Sequence, residues 1–173
     1  MPTIKYSGHI APLPPQAETV LLDILRLAGV ESAIITSTTR TPGDQARIMY
    51  DNLEAYGVAA QKLLYRAPGQ AVIDVYASCR AEGMSADQTK AEMVRKILEI
   101  GPQMVSHHCT EDTTKRSIFD VAPSSIPDSA KRKFENLVSA HGNVDKFLMP
   151  PRDPCYHIEL AIDSGEETVI QPI

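Results

Sequence analysis

Five histidines punctuate the 173 residues: His9, His107, His108, His141 and His157. Three of them, in two places, have neighbours suited to metal chemistry. Ser106-His107-His108 leaves a predicted strand and enters a polar loop. Cys155-Tyr156-His157-Ile158-Glu159-Leu160 reads as a late strand. Side chains alternate along a strand, so Cys155, His157 and Glu159 share one face and Tyr156, Ile158 and Leu160 share the other. The apolar set is the natural core face, which leaves the polar set to line a groove or a site. Between the two places, Phe119-Asp120-Val121 puts a carboxylate where the chain turns apolar again. A catalytic zinc takes three ligands of the His/Asp/Glu type and keeps one position open for water. It makes that water acidic near neutral pH, and a neighbouring carboxylate then serves as general base. The chain holds each of these parts, although no HExxH helix fixes them locally. Taken alone, the histidines also fit a plainer reading, with His107 and His108 as loop residues and His157 as a satisfied strand histidine.

The order Ser106-x-His108, then Asp120 closing a short strand, then His157 on a late strand, resembles the zinc D-Ala-D-Ala carboxypeptidase family. Its relatives include VanX-type dipeptidases and hedgehog-type domains. The family pattern is SxHxxGxAxD followed by a late strand histidine. The resemblance implies Zn²⁺ as cofactor, with His108, Asp120 and His157 as its ligands. His108 is preferred to His107 because Ser106 then stands two residues before it, as in the family. Upstream, Ile35-Thr36-Ser37-Thr38-Thr39-Arg40-Thr41-Pro42 resembles the family's strand, SGYR and helix-start element. That match implies a substrate-side role for Arg40, which suits a guanidinium fork, and Ser106 falls on the same side.

The sequence departs from the pattern in two places. Asp120 follows His108 at a longer spacing, and residues 109 to 116 replace the motif's glycine and alanine. Asp112, at helical spacing from His108, is a lower-ranked oxygen ligand. The family's general base lies two or three residues before the last histidine, where this chain has Pro154 and Cys155. Asp153 and Glu159 are the two candidates, with a preference for Asp153 on position. Cys155 as a fourth ligand would close the site and make it structural.

The elements that must position these residues follow from periodicity. Gln16 to Ala28 carries an apolar stripe at helical spacing and stops at Gly29. Residues 33 to 38 are a β-branched strand. Pro42 opens a helix, and residues 58 to 82 are mostly helical with an interruption at Pro68-Gly69. Ser85 with Gln88 forms a capping box ahead of a helix that ends near Gly101-Pro102. Residues 104 to 106, 117 to 121, 144 to 149 and 155 to 162 read as strands, 128 to 140 as a helix, and the tail from Thr168 as a further strand. The expected fold is α+β, a small antiparallel sheet packed against helices in the hedgehog/D-Ala-D-Ala-peptidase manner. One domain is expected over 1-173, with an extended segment 1-15 and a tail 163-173.

Composition sets the class. Hydrophobic residues make up 43% and charged residues 23%, ordinary for a globular protein. The net charge of −5 and the lack of a basic run argue against nucleic acid. No stretch approaches the ~18 apolar residues of a membrane span. The three cysteines, Cys79, Cys109 and Cys155, are odd in number and irregular in spacing, which suits reduced thiols made in a cytosol. The first residues lack the apolar core of a signal peptide. The resemblance implies hydrolysis of an amide bond in peptidoglycan stem peptides, as a carboxypeptidase or an endopeptidase. Synthesis in the cytoplasm with action on the cell wall or periplasm would then require phage lysis or a specialised secretion partner. The alternatives are a catalytically inactive binding protein that kept the fold, or a metal used only for stability.

Overall fold

The computed structural model describes residues 1–8 and 10–162, so His9 and the expected strand from Thr168 lie outside the described residues. The described residues form an α+β fold, with a five-stranded mixed sheet and six helices. The chain divides into two compact units, Met1–Thr38 with Thr114–Ile173, and Thr39–Thr113.

The first unit is built on the sheet. Its strands are β1 (Thr3–Tyr6), β2 (Ser32–Thr38), β3 (Arg116–Val121), β4 (Val144–Leu148) and β5 (Tyr156–Ala161), in the order β1-β2-β3-β5-β4. The expectation of an antiparallel sheet is corrected at one edge, where β1 pairs with β2 in parallel. Helix α1 (Pro15–Ala28) runs between those two strands and carries the chain back to the starting end, which a parallel pair requires. The other pairings are antiparallel.

One sheet face is apolar. Ala33 and Ile35 of β2, Phe119 and Val121 of β3, and Tyr156, Ile158 and Leu160 of β5 share a core with Leu21 and Leu25 of α1. Phe134 and Val138 of α6 (Asp128–Ala140) complete it. The Tyr156 ring meets Phe134 at 5.2 Å between centroids, and its hydroxyl donates to Glu135 at 2.7 Å. The largest aromatic of β5 is thereby buried without stranding its polar atom.

The second unit is helical: α2 (Pro42–Leu64), α3 (Ala67–Ala81), α4 (Ala86–Ile100) and the single turn α5 (Pro102–Val105). Thr41 caps α2 by accepting from the Asp44 backbone N–H at 3.1 Å, with Pro42 in the first turn. Gly57, at φ 81 and ψ 162, bends α2 in a conformation open only to glycine. The capping box of α4 forms in both directions between Ser85 and Gln88. The core of this unit includes Met49, Leu53, Ile73, Met93, Ile97 and Cys109.

Two expectations are corrected here. The break in the helical stretch falls at Tyr65-Arg66, and Pro68 lies in the first turn of α3, where its missing N–H has no helical partner to lose. Residues 104 to 106 do not form a strand. Gly101 takes φ 100, Pro102 starts a turn with its ring-fixed φ, and Ser106 N–H closes it on the Pro102 carbonyl at 3.1 Å. No helix among the described residues is long and apolar enough to cross a membrane.

Candidate metal centre

The register of the sheet places two of the expected ligands. Asp120 and His157 are direct partners in the antiparallel β3–β5 ladder. Both project from the face opposite the aromatic core, as the alternation along β5 requires. His157 Nδ1 lies 2.9 Å from Asp120 Oδ1, and Nε2 lies 3.3 Å from Glu159 Oε1. The His157 side chain is 2% exposed and that of Asp120 16%. Burial opposes a charge on His157, but Asp120 and Glu159 together outweigh it and hold its pKa above the ordinary value.

Glu159 has further partners on the neighbouring strands. Lys146 of β4 donates to its Oε1 at 2.9 Å, and Arg116 of β3 donates to its Oε2 at 3.3 Å. Burial pushes the Glu159 pKa up, yet Lys146 and His157 bring it below the usual carboxylate range.

The third expected ligand sits in the helical unit, on a short loop pinned by main-chain bonds. Arg40 N–H donates to the His108 carbonyl at 2.7 Å, and the Arg40 carbonyl accepts from Thr110 N–H at 3.0 Å. Ser106 Oγ accepts from His108 N–H at 3.4 Å, and its carbonyl accepts from Cys109 N–H at 3.0 Å. Cys109 is fully buried, and burial pushes its thiol up to about 11, so it anchors the loop as a neutral hydrophobic group. That anchor separates the two adjacent histidines: His107 is exposed, whereas His108 is only 9% exposed.

Asp120 and His157, paired across β3 and β5, are two donors of the kind a metal ion accepts, and His108 offers an imidazole of the same kind from the helical unit. Two imidazole nitrogens and a carboxylate oxygen are a donor set of the borderline kind that first-row divalent ions accept. Asp112 bonds within its own loop, to Thr110 Oγ1 at 3.3 Å, and Cys155 Sγ meets Thr36 Oγ1 at 3.7 Å.

The remaining expected residues occupy definite places. Asp153 Oδ1 accepts from Cys155 N–H at 2.9 Å, a local turn bond just ahead of β5. Arg40 Nη1 donates to Gln45 Oε1 at 3.3 Å, and Gln45 Nε2 reaches Tyr65 Oη at 3.5 Å. Gln45 is fully buried, and burial raises the Tyr65 pKa against the opposing charge of Arg40.

The sequence reading did not single out Gln45, Tyr65, Lys146 or Arg116. Gln45 had a signal, because it lies on the buried stripe with Ala46, Met49 and Leu53, where a glutamine is out of character. Lys146 and Arg116 had none, because only the strand register brings them to Glu159. No protein-family model, curated protein or solved structure matches the chain.

Proposed function

We propose that the chain is a zinc-dependent peptidase of the hedgehog/D-Ala-D-Ala-peptidase type, hydrolysing an amide bond in peptidoglycan stem peptides. The observation that carries this reading is the pairing of Asp120 with His157 in the β3–β5 register, Oδ1 2.9 Å from Nδ1, with the His108 imidazole buried on its own pinned loop. When bound, zinc supplies Lewis acidity that polarises a carbonyl and lets water attack near neutral pH. Asp153 is the general base. Its carboxylate takes a proton from the attacking water as the new C–O bond forms, and passes a proton to the leaving amine as the C–N bond breaks. Its anchored Oδ1 fixes the carboxylate, which is half-buried and able to meet solvent. Glu159 is unsuited to the same task, being held by two cations and well buried. Arg40, braced by Gln45, is the group for a substrate carboxylate or carbonyl.

The test combines metal analysis with release of peptide from purified peptidoglycan. Wild-type protein is expected to carry one zinc per chain and to cleave. Asp153→Asn should keep the metal and lose at least about 100-fold in rate. His157→Ala should lose both. Protein without stoichiometric metal, or His157→Ala with full activity, would overturn the reading.

A structural metal is the second reading, favoured by the ordinary turn bond of Asp153. It predicts that chelation melts the fold and that no amide bond is cut by the loaded protein.

A further inference from the structure

We propose that Lys146 and Arg116 form a cationic clamp on Glu159, and that the clamped carboxylate holds the His157 ring with Nδ1 as its metal-facing nitrogen. The inference rests on the zinc reading and adds positioning residues to it.

The argument starts from the sheet. Glu159 stands on β5, between β3 and β4, and Lys146 is its direct cross-strand partner. Arg116 sits on the other side, in register with Ala161, two residues along β5 from Glu159. Each cation therefore reaches Glu159 from a different neighbouring strand, a geometry the ladder fixes. Together they occupy both carboxylate oxygens, at 2.9 and 3.3 Å. The carboxylate side chain is 8% exposed, while the cations are 37% and 38% exposed and keep contact with water. A buried carboxylate of this kind is stable only when paired and hydrogen-bonded.

What remains of Glu159 Oε1 faces His157 Nε2 at 3.3 Å. A metal-bound imidazole uses one ring nitrogen as ligand and donates the N–H of the other to an oxygen that fixes its tautomer and orientation. Here Nε2 is the donor side, and Nδ1 is the nitrogen beside Asp120. The side chain of Glu159 has single bonds that would let it swing away, and the clamp removes that freedom. Lys146 and Arg116 thus act through Glu159 on the ligand and need no contact with substrate.

The experiment is a Zn²⁺ titration of the full chain against a chromogenic chelator, with the Co²⁺ absorption spectrum as a second readout. The variants are Glu159→Gln, the pair Lys146→Met with Arg116→Met, the triple combination, and Lys146→Arg. Glu159→Gln should weaken zinc by about 10- to 100-fold. The cation pair should weaken it by about 10-fold, at the lower edge of the same range, and alter the Co²⁺ spectrum as Glu159→Gln does. The triple variant should bind no more weakly than Glu159→Gln alone, because the cations act only through that carboxylate. Lys146→Arg should match wild type. Should Arg116→Met fail to fold, Lys146→Met alone carries the comparison.

Cation variants that bind zinc as wild type does would overturn the clamp and leave the zinc reading standing. So would a triple variant showing the full product of the separate losses. Wild-type protein that binds no zinc would overturn the zinc reading itself.

Discussion

Ser117 shows how differently the two faces of one strand treat a polar atom. Its Oγ is fully buried and has no hydrogen-bond partner. It lies in register with Leu160, on the side of β3 that carries Phe119 and Val121. A buried hydroxyl left unsatisfied is a net cost, so removing it relieves the fold. Ser117→Ala is expected to leave stability unchanged or to raise it by about 1 kcal/mol in urea unfolding; a clear loss would show that the hydroxyl has a partner after all. On the opposite face every polar group discussed is engaged: Asp120 with His157, His157 with Glu159, and Glu159 with Lys146 and Arg116. The grouping of His108, Asp120 and His157 came from the resemblance to the zinc D-Ala-D-Ala carboxypeptidase family, because the histidines taken alone also fit a plainer reading. The partners of Glu159 were not legible, because a salt bridge across strands depends on register, which the sequence does not state locally.

At the scale of elements, the segments with strong local signals came out close to expectation. The helix Asp128–Ala140, the capping box at Ser85 and the alternation along β5 are each set by side chains within a few residues of one another. The misread segments depend on something farther away. The apolar residues at 104 and 105 follow a glycine at positive φ and a proline, and that pair decides for a helical turn over a strand. The direction of β1 relative to β2 depends on α1 returning the chain, which no short window contains. Helix α6 supplies a second prediction. Phe134 is fully buried between the sheet and α6 and touches the Tyr156 ring, on the strand that also carries His157. Phe134→Ala should cost about 3–5 kcal/mol by thermal or denaturant unfolding. If zinc is supplied in excess, the folded fraction of that variant should still bind it, because Phe134 lies on the sheet face away from Asp120 and His157.

For the molecule as a whole, the proposed zinc should act as a stabilising ligand. Any ion that binds the folded chain and not the unfolded one raises stability by mass action, by about 2.7 kcal/mol at 100 times the dissociation constant. Differential scanning calorimetry should therefore show a melting temperature that climbs with free zinc and falls on chelation. In His157→Ala the dependence should vanish, and a zinc-independent melting curve in wild type would contradict the proposed ligand set. The division into two compact units had no compositional mark to announce it. The boundaries fall in the threonine-rich stretches around Thr38-Thr39 and Thr113-Thr114, and the Pro42-Gly43 pair near the first reads as a helix start. The helix-rich first half and strand-rich second half were legible because periodicity is local. The joining of residues 1–38 with 114–173 into one unit was not, because it rests on β2 pairing with β3 across the whole helical segment. The three free thiols give this division an unplanned use. Cys79 and Cys109 are buried in the helical unit, and Cys155 is half-buried in the sheet unit. Thiol alkylation requires an accessible thiolate, so the slow modification of Cys109 is a clock for the local opening of the segment that bears His108. Mass spectrometry under native conditions would read that clock separately from the one at Cys155, and so time the breathing of each half of the chain without any engineered label.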